Sequence, residues 1–231
     1  MAEQAEDFLR RLDEIGTGAE DRLHPGIPQR LIVLRGDHAP GDDLDVGTSG
    51  IAQVLLLQYV EGLPRARVGW GRTDAVMLRR LGALHAALFA VFTHSPYMAA
   101  HQAAMLGRAV LRSLNDGTGP RFDVLMGHDT NVTALAAALR IALRAPGYAT
   151  NDVPPGGALM LESLRDPRSG RSFVRVSYRT QPPGVLRGLG RTTNVTPLIV
   201  PGCGSRLCPA AQFAALLEQR LAPLVDAGAV D

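Results

Sequence analysis

A histidine and an aspartate stand side by side in residues 127–131, which read Gly-His-Asp-Thr-Asn. Residues 122–126 before them are mostly apolar and predict a buried β-strand. Residues 134–139 after them are rich in alanine and leucine and predict a helix. The pair therefore falls in a loop between the end of a strand and the start of a helix, where open α/β sheets bind their ligands.

His128 and Asp129 together suit anion binding and proton transfer. The first turn of a helix presents unpaired backbone N–H groups and a partial positive charge, and a protonated His128 would add a full charge, so phosphate is a natural ligand. Asp129 could donate a proton to a leaving oxygen if burial and acid keep it protonated. Thr130 or Asn131 could cap the helix or bind the anion. The alternative is structural, with His128 an ordinary loop residue and Asp129 a helix cap worth about 1 kcal/mol.

The region before this loop is helical in pattern, and polar residues or proline mark the start of each predicted helix. Three helices are predicted: residues 51–61 capped by Thr48 or Ser49, a long apolar helix capped by Thr73 or Asp74 that runs to about Thr93, and residues 97–114 opened by Pro96.

The rest of the chain predicts fewer elements. Residues 158–164 and 172–180 predict a β-hairpin joined by an Asp-Pro-Arg-Ser-Gly turn. Residues 210–224 predict a final helix. Near the start of the sequence, residues 3–15 predict a short amphipathic helix and residues 31–34 a strand-like run.

Composition excludes some classes of function. The 231 residues suit one large domain or two small ones, and a hydrophobic share of 46% is enough for a core. No run of 18 apolar residues occurs, so no membrane helix or membrane partner is expected. The acidic start lacks the features of a signal peptide. All 24 basic residues are arginine and are scattered, which argues against nucleic-acid binding.

Only two cysteines occur, Cys203 and Cys208. A zinc site needs about two further ligands, and no histidine lies near them in sequence. A local disulfide is favoured and would indicate an oxidising compartment. The alternative is a pair of unrelated reduced thiols.

Several short motifs stand out along the chain. They are residues 127–131, Pro-Pro-Gly-Gly-Ala-Leu at 154–159, residues 55–64, Gly-Trp-Gly-Arg at 69–72, Leu84-His85, Ser95-Pro96 and the two cysteines. Over residues 46–224 the chain thereby resembles the C-terminal part of a histidine acid phosphatase, and bacterial phytases and glucose-1-phosphatases in particular.

The resemblance implies an α/β fold: a partial phosphoglycerate-mutase-like α/β domain plus a helical domain, with the N-terminal strands of the sheet missing. Residues 1–45 would be a remnant or linker, 46–120 the helical domain, and 121–231 the C-terminal part of the phosphatase domain. The implied location is periplasmic or secreted.

The implied chemistry is hydrolysis of phosphate monoesters, of the sugar phosphate or phytate class, through a phosphohistidine and without metal or cofactor. Asp129 would be the proton donor and His128 would bind phosphate. Thr130 and Gln53 would contact the substrate, although relatives usually carry a substrate-facing glutamate at the position of Gln53. Cys203 and Cys208 would form the C-terminal disulfide of the bacterial members.

The family's Arg-His-Gly-x-Arg-x-Pro motif, which carries the nucleophilic histidine, is absent from the sequence. The main expectation is therefore a truncated phosphatase that is inactive alone. A second hypothesis is a pseudoenzyme that binds phosphate esters or a partner protein without turnover. A third is a working hydrolase that uses another histidine as nucleophile, such as His38, which follows the strand-like run at 31–34. Because an incomplete parallel sheet exposes apolar faces, we expect poor solubility or association with another chain that covers the sheet.

Overall fold

The computed structural model describes residues 46–93, 95–115 and 122–222, which lie within one compact unit, Leu44–Asp231. The helix predicted at 3–15, the strand-like run at 31–34 and His38 lie outside the described residues. The division into domains at residue 120 stays a prediction.

The three helices predicted before the His-Asp loop and the helix predicted after it are present. They are α1 (Val46–Val60), α2 (Ala75–Thr93), α3 (Pro96–Asn115) and α4 (Asp129–Ala138), and a short 3-10 turn, Arg65–Gly71, joins the first two. Gly62 follows α1 with a φ of +82°, a conformation that favours glycine, and so ends that helix.

Side chains fix where α2 and α3 begin. Asp74 caps α2, since its Oδ1 accepts the backbone N–H of Met77 at 2.7 Å. Ser95 caps α3 by accepting the N–H of Met98 at 3.1 Å. The cap predicted for α1 is wrong, because α1 already begins at Val46 and Ser49 lies inside the helix.

The sheet is antiparallel and is built around one strand. The predicted hairpin is confirmed as β1 (Ala158–Arg165) and β2 (Ser172–Thr180). The sequence did not predict the short elements after it, which are α5 (Pro183–Arg187), β3 (Asn194–Leu198) and β4 (Leu207–Pro209). Both short strands pair with β2, β3 at its carboxyl half and β4 at its start. The predicted final helix is present as α6 (Ala210–Leu221). Residues 223 and 224 of the predicted range lie outside the described residues.

The main hydrophobic core lies between the sheet and three helices. Val174 and Val176 of β2 pack with side chains from α3, α4 and α6, among them Leu135, Phe213 and Leu217. Burying such side chains removes apolar surface from water and is the main stabilising contribution to the fold. This core holds α4, and therefore its N-terminal loop, against the sheet.

Helix α2 is long and apolar enough, by length and composition, to cross a membrane. In the described structure it packs against α1, α3 and α4 and buries Leu78, Leu81 and His85. Apolar helices in the cores of globular domains pass the same test of length and composition, and the buried polar histidine fits that role.

The predicted disulfide is confirmed. Cys203 and Cys208 are bridged, with their Cα atoms 5.0 Å apart. Cys208 lies opposite Val174 of β2 and is buried in the main core. The bridge therefore fixes the turn before β4 to the sheet.

The predicted strand at 122–126 is wrong. These residues are irregular and pair with no described strand, and Phe122 and Met126 are 81% and 90% exposed. A strand is stable only when a neighbour satisfies its backbone and covers its side chains. The described sheet, formed by residues 158–209, offers neither to this segment.

Two leucines provide a matched test of this description. Leu125 is 51% exposed, whereas Leu135 is 3% exposed in the main core. We expect Leu135→Ala to lower the free energy of unfolding by about 2–5 kcal/mol. We expect Leu125→Ala to change it by no more than about 0.5 kcal/mol. Urea unfolding followed by circular dichroism measures both values, and equal losses would show that residues 122–126 are packed.

Candidate active site

Two buried side chains connect the His128–Asp129 loop to the interior through hydrogen bonds. The Nε2 atom of His85 lies 3.2 Å from Oδ2 of Asp129, and its Nδ1 atom lies 2.7 Å from the hydroxyl of Ser49. Ser49 and His85 are buried, and the side chain of Asp129 is one third exposed. The three residues form a hydrogen-bonded chain from α1 through α2 to α4, which we call the upper row.

The chemistry of the groups sets the direction of these hydrogen bonds. An ionised carboxylate only accepts, so His85 donates from Nε2 to Asp129. The Nδ1 atom of His85 accepts the proton of the Ser49 hydroxyl when the imidazole is neutral and donates to the Ser49 oxygen when it is protonated. The Ser49 hydroxyl therefore forms its hydrogen bond with His85 and does not cap α1, which fits its position inside the helix.

Asp129 is held as a carboxylate. Its Oδ1 accepts the backbone N–H of Thr130 at 2.7 Å, and its Oδ2 faces His85. The hydrogen bond from His85 lowers the pKa of Asp129 most, burial opposes this, and the Thr130 N–H lowers it further. Protonation of Asp129 therefore requires acid or a bound anion that favours the neutral form.

His128 lies on the solvent side of the same loop. It is exposed and precedes α4, and its backbone N–H donates to Oδ1 of Asn131 at 2.9 Å. Asn131 thus makes the capping interaction, and Asp129 is not the N-cap residue. A side chain on Gly127 would lie 2.9 Å from that same Oδ1, so the loop needs glycine there. Thr130 is exposed in the first turn of α4.

A lower row of contacts lies one helical turn away. Gln53 follows Ser49 by four positions on α1, and Gly82 precedes His85 by three on α2, so each pair shares a helix face. Between them lies Asp152, which is 2% exposed and is close enough to the Gln53 side chain for that side chain to affect its pKa. A Cβ atom at Gly82 would lie 2.0 Å from Oδ2 of Asp152, so only glycine leaves room for this carboxyl group.

The carboxyl group of Asp152 ionises less readily than an exposed aspartate would. Burial raises its pKa to about 6, the charge of His85 and the hydrogen bond from Gln53 oppose the rise, and Asp129 adds to it. Its Oδ1 and the hydroxyls of Tyr148, Tyr178 and Thr180 are buried with no hydrogen-bond partner among the described residues. Burial and the charge of Asp152 raise the pKa of both tyrosines. Asp152 therefore lies in a polar part of the interior.

The structure brings together part of the set of residues predicted from sequence. Asp129 and His128 are adjacent, with Thr130 next to them, and Gln53 belongs to the lower row. Sequence reasoning did not single out Ser49 or Asp152 for the site. No local pattern marks Asp152, since only the folded structure shows that it is buried beside Gln53.

The ionisation of Asp152 predicts how stability depends on pH. Its pKa in the folded state, about 6, is above its ordinary value of 3.8, so its contribution is full below pH 4 and is lost as pH rises towards 6. We expect Asp152→Asn to be more stable than the wild type at pH 7 by up to about 3 kcal/mol, and to lose this advantage near pH 4.

Thermal and urea unfolding between pH 4 and pH 7 measure this difference. Asp74→Asn is the control, because Asp74 is exposed and asparagine also caps helices well. A difference between Asp152→Asn and the wild type that is the same at every pH would contradict the assignment.

Comparison with known proteins identifies the family. The family description "Histidine phosphatase superfamily (branch 2)" matches residues 47–179, which include both rows and the His-Asp loop. Phytase AppA of Escherichia coli K12 is 29% identical over 195 residues, which are 76% of this chain and 44% of that protein. A glucose-1-phosphatase of Salmonella typhimurium is 29% identical over 189 residues, 74% of this chain and 44% of that protein.

Solved structures agree. The phytase of Klebsiella sp. ASR1 superposes with a TM-score of 0.70 at 27% identity and covers 76% of this chain and 48% of its own. Hafnia alvei phytase in complex with myo-inositol hexakis sulphate gives a TM-score of 0.64 at 26% identity, covering 75% and 47%. The chain spans less than half the length of these relatives. The predicted partial α/β fold with a helical domain is confirmed, and the chain belongs to branch 2 of the histidine phosphatase superfamily.

Proposed function

We propose that this chain forms the phosphate-holding and proton-donating part of a histidine-type acid phosphatase site and binds phosphate monoesters. The observation that supports this most is the His128–Asp129 pair at the start of α4. Asp129 is held in place there by its hydrogen bond with the buried His85. The named relatives, phytases and glucose-1-phosphatases, favour an ester of the phytate or sugar phosphate class.

Phosphate would bind at the exposed side of the loop. The first turn of α4 carries a partial positive charge, and His128 adds a positive charge when protonated. Thr130, exposed in the same turn, offers a hydroxyl group. These groups keep fixed positions relative to one another, because the main core holds α4 against the sheet.

Asp129 would supply the proton to the leaving group. As the bond between phosphorus and the ester oxygen breaks, the proton moves from Asp129 to that oxygen, and Asp129 becomes a carboxylate. The N–H groups of His85 and Thr130 are already placed to stabilise that carboxylate. Because both lower the pKa of Asp129, the donor form requires acidic solution or a bound phosphate.

The attacking group is the part that the sequence lacks. It contains no Arg-His-Gly tripeptide, and in the family that motif provides the histidine that attacks phosphorus. We therefore propose that the chain alone binds phosphate esters without turnover, as a truncated phosphatase or as a pseudoenzyme. The exposed apolar residues at 122–126 favour association with another chain. The disulfide favours an oxidising, periplasmic location.

Binding is tested directly with glucose 1-phosphate at pH 5. We expect the ligand to raise the unfolding temperature of the wild type, because it binds the folded state alone. We expect His128→Ala to weaken binding roughly tenfold or more, since it removes a charge-assisted hydrogen bond. His101→Ala is the matched control, because His101 is also exposed but lies on α3. Calorimetric titration gives the affinities, and equal affinity in all three proteins would refute the proposed site.

Turnover is tested with a generic aryl phosphate at acid pH. We expect no hydrolysis by the wild type, because phosphoryl transfer depends on the positioned nucleophile and on charge neutralisation. Hydrolysis that is lost in both His128→Ala and His38→Ala would contradict this and would support a working hydrolase that uses His38.

A further inference from the structure

A cavity of about 260 Å³ lies at the carboxyl end of α4, away from the His-Asp loop. Its walls come from the start of α3, the end of α4 and the last turns of α6. Ala137 and Leu216 are among its apolar lining residues, and Arg140 and Arg220 are the charged ones. Among the described residues, no acidic side chain lines it. The cavity therefore combines apolar walls with two positive charges.

Arg220 is held firmly in the wall of this cavity. Its Nη1 donates to the backbone carbonyl of Leu139 at 2.8 Å, and its Nη2 donates to the carbonyl of Pro201 at 2.5 Å. A guanidinium group has five N–H donors, so these two bonds leave others for a ligand. Burial lowers the pKa of Arg220 most, and the charge of Arg140 lowers it further, because the two positive groups lie close enough to repel each other.

Arg140 stands where the backbone favours glycine. Its N–H donates to the carbonyl of Ala137, and the N–H of Ile141 donates to the carbonyl of Ala136, both at 2.9 Å. This way of ending a helix needs a left-handed residue, usually glycine, and Arg140 has a φ of +55°. Its guanidinium forms no hydrogen bond or ion pair within the part of the chain that the structure describes. The fold alone therefore does not explain an arginine at this position.

The helix ends around the cavity do not neutralise the two arginines. Each helix end carries about half a charge, negative at the carboxyl ends of α4 and α6 and positive at the amino end of α3. Two full positive charges exceed these, so the cavity attracts anions. Guanidinium groups match the oxygens of phosphoryl groups in a planar fork. A phosphoryl group carries nearly two negative charges at neutral pH, whereas a carboxylate carries one, so two arginines favour the phosphoryl group.

We propose that this cavity is a binding site for a small organic phosphate, whose phosphoryl group is held by Arg140 and Arg220 and whose organic part contacts Ala137 and Leu216. Pockets for drug-sized molecules measure about 300–1,000 Å³, so a cavity of about 260 Å³ suits a smaller ligand. The site is separate from the His-Asp loop, because the ten residues of α4 span roughly 15 Å between them. The inference therefore stands independently of the proposed function of that loop.

The test uses phenylphosphonate, a phosphate-like group on an apolar ring that phosphatases do not hydrolyse. Calorimetric titration at pH 7.5 is made on His128→Ala, so that the His-Asp loop contributes little, and this protein is the parent for the variants below. We expect one molecule to bind per chain. We expect benzoate and inorganic phosphate to bind several-fold more weakly, since benzoate lacks the second charge and phosphate lacks the apolar part.

Arg140→Gly separates binding from stability. We expect it to weaken phenylphosphonate binding roughly tenfold or more, since it removes a charge-assisted hydrogen bond. We expect the same change to raise the Tm of the free protein by about 2–4 °C, because glycine suits the left-handed position. A purely structural role for Arg140 would not produce a loss of affinity together with a gain of stability.

Two further variants control for shape and for net charge. Ala137→Leu fills part of the cavity without changing its charge, and we expect it to weaken binding roughly tenfold as well. Arg144→Ala removes an exposed arginine of the same loop that does not line the cavity. We expect it to bind phenylphosphonate as the parent does.

Three outcomes would overturn the inference. The first is equal affinity in the parent, Arg140→Gly and Ala137→Leu, which would place any bound ligand elsewhere. The second is a loss in Arg144→Ala as large as in Arg140→Gly, which would indicate attraction by net charge alone. The third is no binding by the parent at all. None of these bears on the His-Asp loop, which the glucose 1-phosphate titrations test separately.

Discussion

The hydrogen bond between His85 and Asp129 is the contact on which the organisation of the site depends. A buried imidazole must satisfy both of its nitrogen atoms, and here the partners come from two different helices, Ser49 on α1 and Asp129 on α4. Three helices are therefore held in register by one side chain. The interaction also fixes the ionisation of Asp129, so the geometry of the helical region and the acidity of the site have a common origin.

The lower row shows how close packing allows a second acid near the first. Asp152 fits only because position 82 is glycine, and the cost of burying its charge is reduced by Gln53 and His85. A buried acid with a pKa of about 6 is ionised at neutral pH and then destabilises the fold. Such a cost is common where a group serves function rather than stability.

The features that depend on local sequence patterns could be predicted from the sequence. The helices before the His-Asp loop follow from periodicity and from caps such as Asp74, and the hairpin follows from alternation and its turn. The motif order identified the family. The strand predicted at 122–126 failed because a local pattern says nothing about whether a neighbour is present to pair with it. Asp152 was missed for a similar reason, since its burial and its contact with Gln53 arise only when α1, α2 and the loop before β1 come together.

The pairing around β2 has a consequence for the order in which the chain folds. β1 and β2 are joined by a six-residue turn, and β3 and β4 follow β2 within a few dozen residues, so the sheet closes short loops. The contact between His85 and Asp129 joins positions 44 apart, whereas six residues join the two strands of the hairpin. Since short-range contacts form at lower entropic cost, we expect the β1–β2 hairpin to be organised in the folding transition state before the upper row is. Substitutions in the row would then act mainly on the rate of unfolding.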